Sequence, residues 1–320
     1  MRTRGAGRAR KVLVTGGAGF IGSHLVEALV RDGHRVRVFD DFSSGARPNL
    51  KAVAREVEVM RGDCADPRAA ASAVQGMEAV FHEAAVPSVA VSVKDPARSH
   101  RAGATATLTM LLAARDAGVC RFIYAGSSSV YGDTPKLPKT ESMAPRPLSP
   151  YAASKLTGET YVRLFSSLYG METLTLRYFN VFGPRQNAGS PYSGVISLFT
   201  TALLDGRTPV VNGDGRQSRD FTYVDNVVEA NRLALTAKGL AGQTVNVATG
   251  KRVTLLELLR ALAVITGRSV RVRHQPVRAG DVRHSLADIR LARRLLGYRP
   301  VVDLKTGLAR TVDWYRSVAR

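Results

Sequence analysis

Near the amino terminus a short apolar run, Lys11–Thr15, passes straight into Gly16-Gly17-Ala18-Gly19-Phe20-Ile21-Gly22. Apolar residues at helical spacing follow over Ser23–Asp32, and Gly33 stops them. Arg35–Phe39 then alternates like a second strand, with Asp40 and Asp41 at its carboxyl end. Strand, glycine turn, helix, strand, acid is the order of a parallel βαβ unit. Glycines at 16, 19 and 22 let the chain turn tightly and let a pyrophosphate approach the helix start, where amide groups hold it. Asp40 stands near the distance expected for a carboxylate on an adenosine ribose. There it accepts from both hydroxyls and repels a 2′-phosphate, which points to NAD over NADP. The plainer alternative is that Asp40 only begins a turn.

The alternation continues along the chain. Strands are expected at Val57–Arg61, Ala79–His82, Arg121–Ala125, Glu172–Arg177 and Thr244–Ala248. Helices are expected at Asp66–Val74, Ala102–Ala117, Tyr151–Tyr169, Val195–Leu204, Thr254–Thr266 and Asp288–Leu296. This predicts an α/β fold: a Rossmann-type doubly wound parallel sheet covered on both faces, with a smaller α/β carboxyl-terminal lobe. Residues 11–179, with about 222–249, read as the dinucleotide domain. Residues 180–221 and 250–320 read as the substrate lobe, and 1–10 as a basic flexible tail. Ligands of such sheets sit beyond the carboxyl ends of the strands, where Asp40, Asp63, Ala84, Ser127 and Asn180 fall.

The charge of +20, from 46 Lys and Arg against 26 Asp and Glu, fits any polyanion. No nucleic-acid motif accompanies it, and a nucleotide diphosphate satisfies it equally well. No run of about 18 apolar residues offers a membrane span, and the opening MRTRGAGRARK lacks the apolar stretch of a secretory signal. Two cysteines, Cys64 and Cys120, cannot build a disulfide framework or a four-ligand zinc site. A cytoplasmic protein without a metal is the expectation.

Tyr151 and Lys155 are four apart at a helix start and so share one face. A free phenol has a pKa of about 10 and is a poor base near neutrality. A lysine cation beside it favours the phenolate, and Tyr151 then exchanges a proton with a sugar hydroxyl.

With those residues in place the chain resembles the extended short-chain dehydrogenase/reductases of the nucleotide-sugar epimerase and dehydratase family. The matches are T-G-G-A-G-F-I-G (15–22), G-D (62–63), H-E-A-A (82–85), S-S-S-V-Y-G (127–132) and S-P-Y-A-A-S-K (149–155). They go on through L-R-Y-F-N-V-F-G-P-R-Q (176–186), S-R-D-F-T-Y-V-D-N (218–226) and G-D-V-R-H-S-L-A-D (280–288). The resemblance implies a base at Tyr151, its partner Lys155, and Ser127 on the sugar oxygen. It implies cofactor contacts from Gly16, Gly19, Phe20, Ile21 and Gly22, from Asp40, Asp41, Ser43 and Gly45, and from Asp63 and Cys64. Ala84, Ala85 and Tyr178 complete that set, together with Tyr151 and Lys155. Substrate contacts are implied for Pro87, Ser88, Ser127, Ser128 and Ser129, then Asn180, Gln186, Gly194, Val195 and Asn212. Arg219 and Arg278 match arginines that neutralise the diphosphate, and Asp281 and Ser285 close the set. The family also pairs its Tyr helix with a copy, which implies a homodimer through Ala102–Ala117 and Tyr151–Tyr169. The helices Val195–Leu204 and Asp288–Leu296 are expected to cap the substrate. One departure stands out: where the family carries Asn in N-x-x-G-T, this chain has Arg101.

Dehydratases of the family carry Asp and Glu directly after the Ser or Thr, and decarboxylases keep the Glu. Ser128 and Ser129 occupy those places here. The resemblance therefore implies a UDP-hexose 4-epimerase: transient oxidation at C4, rotation of the 4-keto sugar, and re-reduction with the NAD retained. Small residues at Ser285 and Gly194 imply room for an N-acetyl group. A UDP-glucuronate 4-epimerase, with Arg185 on the C6 carboxylate, is the alternative within the family. A non-catalytic NAD-binding regulator is the alternative from another class.

Overall fold

A computed structural model describes residues 8–187, 194–277 and 282–318. Its central sheet has strands β1 (Lys11–Thr15), β2 (Arg35–Asp40), β3 (Val57–Arg61), β4 (Ala79–His82), β5 (Arg121–Ser127), β6 (Glu172–Tyr178) and β7 (Gln243–Val247). All pair in parallel, in the order β3-β2-β1-β4-β5-β6-β7. The chain winds one way from β1 to β3 and the other way from β4 onward. The crevice for a ligand therefore opens over the carboxyl ends of β1 and β4.

The longer helices are α1 (Phe20–Arg31), α2 (Pro67–Val74), α3 (Ala106–Asp116), α4 (Pro150–Tyr169), α5 (Val195–Leu204), α6 (Val224–Thr236), α7 (Leu255–Thr266), α8 (Arg290–Leu296) and α9 (Leu304–Val318). Leu25 and Leu29 of α1, Val227 and Ala234 of α6, and Ala292 of α8 fill one face of the sheet. Met110 of α3 and Val162 and Phe165 of α4 fill the other, with Ala70 and Val74 of α2. The lobe has its own apolar centre, where Phe199 and Leu203 of α5 meet Leu258 and Leu259 of α7 and Leu308 and Val312 of α9.

Two helices, α6 and α9, were not anticipated. Val224, Val227, Val228, Asn231 and Ala234 repeat at helical spacing, so the signal for α6 was present. Helices α5 and α8, expected to cap the substrate, each turn an apolar face into the protein. α8 buries Ala292 and Leu296 on the sheet, and α5 turns Ile196, Phe199 and Leu203 into the lobe centre.

The helix expected from Ala102 opens with one π turn, Arg101–Thr105, before α3. Gly103 lies so close to α4 that a Cβ would stand 2.6 Å from Ser154 Oγ. The replaced asparagine has not cost the chain this helix start. Arg101 reaches out instead and pairs with Asp63 at 2.7 Å.

Arg121, at the start of β5, is almost wholly buried. It donates to Glu172 Oε2 from Nε (3.0 Å) and Nη2 (2.6 Å). It also donates to the carbonyls of Ala234 (2.9 Å), Leu235 and Ala237 (2.8 Å), the last carbonyls of α6. One guanidinium thus joins two strands to the carbonyls at a helix end.

Candidate active site

A cavity of about 900 Å³ opens along the carboxyl ends of the strands, from the glycine turn to the lobe segment Val282–Ser285. At one end the turn after β1 is built for close approach. A Cβ on Gly16 would stand 2.8 Å from the backbone of Ala84, and one on Gly22 would stand 2.2 Å from Gly16 O. Gly19 begins α1, and no side chain caps that first turn. The helix start therefore keeps amide groups for a ligand. Asp40, at the end of β2, is nearly buried and braces the same turn. It accepts from Ala18 N–H at 2.9 Å and from Phe42 N–H at 2.8 Å. Burial pushes its carboxyl up, and those two amides pull it down.

Most of the residues singled out for a cofactor line this cavity. Gly16, Gly19, Phe20, Ile21 and Gly22 do so from the turn; Asp40, Asp41 and Ser43 follow β2; Asp63, Cys64, Ala84, Ala85 and Tyr178 follow later strands. Gly45 does not reach the wall. Its Cα packs on the turn itself, where a Cβ would meet Ala18 at 2.9 Å, so Gly45 supports the turn from behind. Cys64 is a buried thiol whose pKa burial pushes up.

At the middle of the cavity stand Ser127, at the end of β5, and Tyr151, in the first turn of α4. Ser127 Oγ accepts from Ser129 Oγ at 2.9 Å and Ser129 N–H at 3.2 Å. With both acceptor positions filled, its own hydrogen is left to donate, and its hydrogen bond to Tyr151 lowers a phenol that burial raises. Lys155 lies beneath the wall, buried, with Nζ donating to Ala125 O at 2.8 Å and 5.0 Å above the Tyr124 ring. Burial drives its ammonium down to about 8 against the pull of Glu83. Burial thus works against both charges of the expected Tyr–Lys pair.

The far wall is shared between loops of the sheet domain and the lobe. Pro87, Ser128, Ser129, Asn180, Gln186 and Gly194 line it, as do Arg219 and Ser285. Asp220, fully buried, fixes this side. It accepts from Thr249 N–H and Gly250 N–H (3.0 Å each), from Thr249 Oγ1 (2.6 Å) and from Ala287 N–H (3.3 Å). Ser285 N–H donates to Ser218 O at 2.9 Å, and Lys139 N–H to Leu286 O at 2.7 Å, so Ser285 sits between two backbone ties.

Three substrate-side expectations fall off the wall. Ser88 caps the short helix Val89–Lys94, accepting from Val91 N–H. Val195 packs against the lobe centre. Asn212 ends a strand paired with Gln275, and Gln217 Nε2 takes its carbonyl. Arg278 and Asp281 lie outside the described residues. Arg185, proposed for a carboxylate ligand, donates to Glu27 Oε1 at 2.5 Å and Ser23 Oγ at 3.2 Å on α1. Its guanidinium thus pairs with a half-buried carboxylate on α1, while Arg185 also lines the cavity. The sequence reading passed over Glu83 and saw Arg101 only as a substitution, yet both stand on the wall. Glu83 stands inside H-E-A-A, a motif read only for its small residues.

Fold and cavity define an enzyme that holds a dinucleotide across a doubly wound sheet. The model of the NAD dependent epimerase/dehydratase family matches residues 12–248, and the chain belongs to that family. A UDP-glucose 4-epimerase of Mycolicibacterium smegmatis is 40% identical over 311 residues, covering 96% of this chain and 99% of that one. A UDP-N-acetylglucosamine 4-epimerase from Methanobrevibacter ruminantium, solved in complex with UDP-N-acetylmuramic acid, superposes with a TM-score of 0.93. It is 38% identical and covers 98% of this chain and 100% of that one. A Thermus thermophilus UDP-glucose 4-epimerase solved with NAD gives a TM-score of 0.88 at 37% identity, covering 96% and 99%.

The chain is an enzyme of this class, and NAD is its cofactor. The cavity fits it: close-packed glycines and an uncapped helix start suit a pyrophosphate, and Asp40 suits a ribose. No helix among the described residues is long and apolar enough to cross a membrane.

Proposed function

We propose that this enzyme is a UDP-hexose 4-epimerase, acting on UDP-glucose and UDP-galactose and on their N-acetylated counterparts. One observation carries the reading. Ser127 hydrogen-bonds Tyr151, with the buried Lys155 one turn further along α4, while Ser128 and Ser129 occupy the places where an acid pair would serve elimination. Bound NAD supplies reversible two-electron oxidation of the sugar carbon. The chain's own residues manage the proton: Tyr151 Oη takes it from the C4 hydroxyl and returns it. Ser127 donates to the same sugar oxygen and holds it in line. Asn180 and Arg219 face the diphosphate end, and a guanidinium there answers phosphate charge.

The direct test incubates the purified enzyme with UDP-glucose or UDP-N-acetylglucosamine, without added NAD, and follows the sugar protons by NMR. The C4 epimer should accumulate to equilibrium; no conversion of any UDP-hexose would sink the reading. The pairing of Arg185 with Glu27 weighs against a C6-carboxylate substrate. Tyr151 and Lys155 speak against a non-catalytic regulator. We also propose a homodimer through the face of α3 and α4, where Leu112, Leu164 and Leu168 are exposed. Sedimentation will report its mass. A cytoplasmic setting suits the unpaired thiols Cys64 and Cys120.

Two substitutions examine the ends of the cavity. Asp40→Ala should weaken NAD retention roughly ten- to a hundredfold, the size of one charged hydrogen bond. NAD content after dialysis measures it. Because Asp40 also braces Ala18 and Phe42, a fall in Tm should accompany the loss. Unchanged NAD content would mean that the ribose contact lies elsewhere. Ser285→Tyr should fill the space beside C2 of the sugar. Turnover of UDP-N-acetylglucosamine should fall roughly ten- to a hundredfold more than that of UDP-glucose. Equal losses on both sugars would show that Ser285 is not the gate.

A further inference from the structure

Arg101 stands where the family carries asparagine, and the proton chemistry of the site leaves it unused. Its Nη2 donates to Asp63 Oδ2 at 2.7 Å, and both residues line the cavity. Asp63 follows β3, the edge strand of the sheet, and Arg101 opens the π turn before α3. The pair thus joins two elements that flank the cofactor end of the cavity. The Arg101 and Asp63 side chains are 60% and 44% exposed, so the pair stands at the cavity mouth and not on its floor.

Both partners are held by the fold itself. Asp63 Oδ1 accepts from Ala65 N–H at 2.8 Å, and Asp66 N–H donates to Asp63 O at 3.0 Å, so the carboxylate is fixed on its own turn with Oδ2 toward Arg101. The Arg101 backbone belongs to a turn packed on α4 through Gly103, where a Cβ would stand 2.6 Å from Ser154 Oγ. An exposed ion pair usually loses most of its worth to the ordering of two long side chains. Here the acid is short and already fixed, and only the arginine side chain has to be ordered. Asparagine, shorter and uncharged, cannot form this ion pair. Asp40 and Asp41 line the same end of the cavity, so an unpaired Asp63 would add another carboxylate facing a cofactor that carries a diphosphate. Arg101 neutralises it.

We propose that Arg101 and Asp63 form an ionic clasp at the mouth of the cavity that slows the release of NAD. The pair has to part, or the two elements it joins have to move, before the cofactor leaves. The inference rests on NAD as the cofactor and not on the choice of sugar.

The experiment measures cofactor release and needs no turnover. The protein is loaded with radiolabelled NAD and diluted into excess unlabelled NAD, and the label it retains is followed over time. Arg101→Met keeps the aliphatic bulk and removes the charge. At low salt it should release NAD about two- to fivefold faster than wild type, the scale of a well-ordered exposed ion pair. At about 1 M salt, where the screening length is about 3 Å, the two rates should converge. Equal rates at low salt, or a gap that salt leaves untouched, overturn the proposal. The Asp63→Asn background then separates a clasp from a direct contact with the cofactor. Asparagine there still accepts from Ala65 N–H, and adding Arg101→Met should speed release no further. An effect that stays as large without the Asp63 carboxylate would mean that Arg101 holds NAD itself, which overturns the clasp. If Asp63→Asn does not fold, Asp63→Ser, whose hydroxyl also accepts from Ala65 N–H, gives the same comparison.

Discussion

Tyr151→Phe should lower turnover by about 10²–10⁴-fold, the usual contribution of a positioned proton-transfer group. NAD should remain bound. Phenylalanine keeps the ring that fills the mouth of α4 and removes only the oxygen that Ser127 addresses. Lys155, anchored on Ala125 O, does not depend on that oxygen for its place. Single-turnover assays with NAD content measured in parallel separate the two effects. Near-normal turnover would show that another group takes the proton. Loss of NAD together with activity would instead give Tyr151 a share in holding the cofactor.

Arg121→Met should cost about 3–5 kcal/mol of stability, the range for removing one partner of a buried charged network. The guanidinium is the hydrogen-bond partner of Glu172 and of three carbonyls at the end of α6. Methionine fills much of the volume but leaves those buried carbonyls without donors. The urea midpoint should drop with little change in slope, since the same surface unfolds. Glu172→Gln should cost under about 1 kcal/mol, because the Glu172 side chain is 43% exposed and water replaces its partner. Similar losses for both variants would show that the carbonyl contacts carry little of the effect.

What could be read from the chain was what depends on close spacing. The glycine turn, the acid at the end of β2 and the Tyr151–Lys155 pair are each set within a few residues, and each stands on the cavity or directly beneath it. The sheet followed from alternating periods, and its strand bounds differ from expectation by no more than two residues. Contacts made only by folding were out of reach. Nothing near Glu83 in sequence announces Tyr178 or, behind it, Asn231. Arg121 looks like any polar residue opening a strand, yet it closes a helix end far along the chain. Gly45, Ser88 and Asn212 were carried toward ligands by the family resemblance. The structure spends them on the glycine turn, a helix cap and a strand end. Arg101 was noticed as a substitution, but its pairing with Asp63 was not foreseeable from its position.

The two ties around Ser285 bear on how such an enzyme changes its diet over generations. Backbone bonds to Ser218 and Lys139, with Asp220 gripping Ala287, hold the strand of chain whatever side chain it carries. On the gate proposed for Ser285, a substitution there changes the room left for a sugar without moving the frame around it, and it leaves Tyr151, on a different element, untouched.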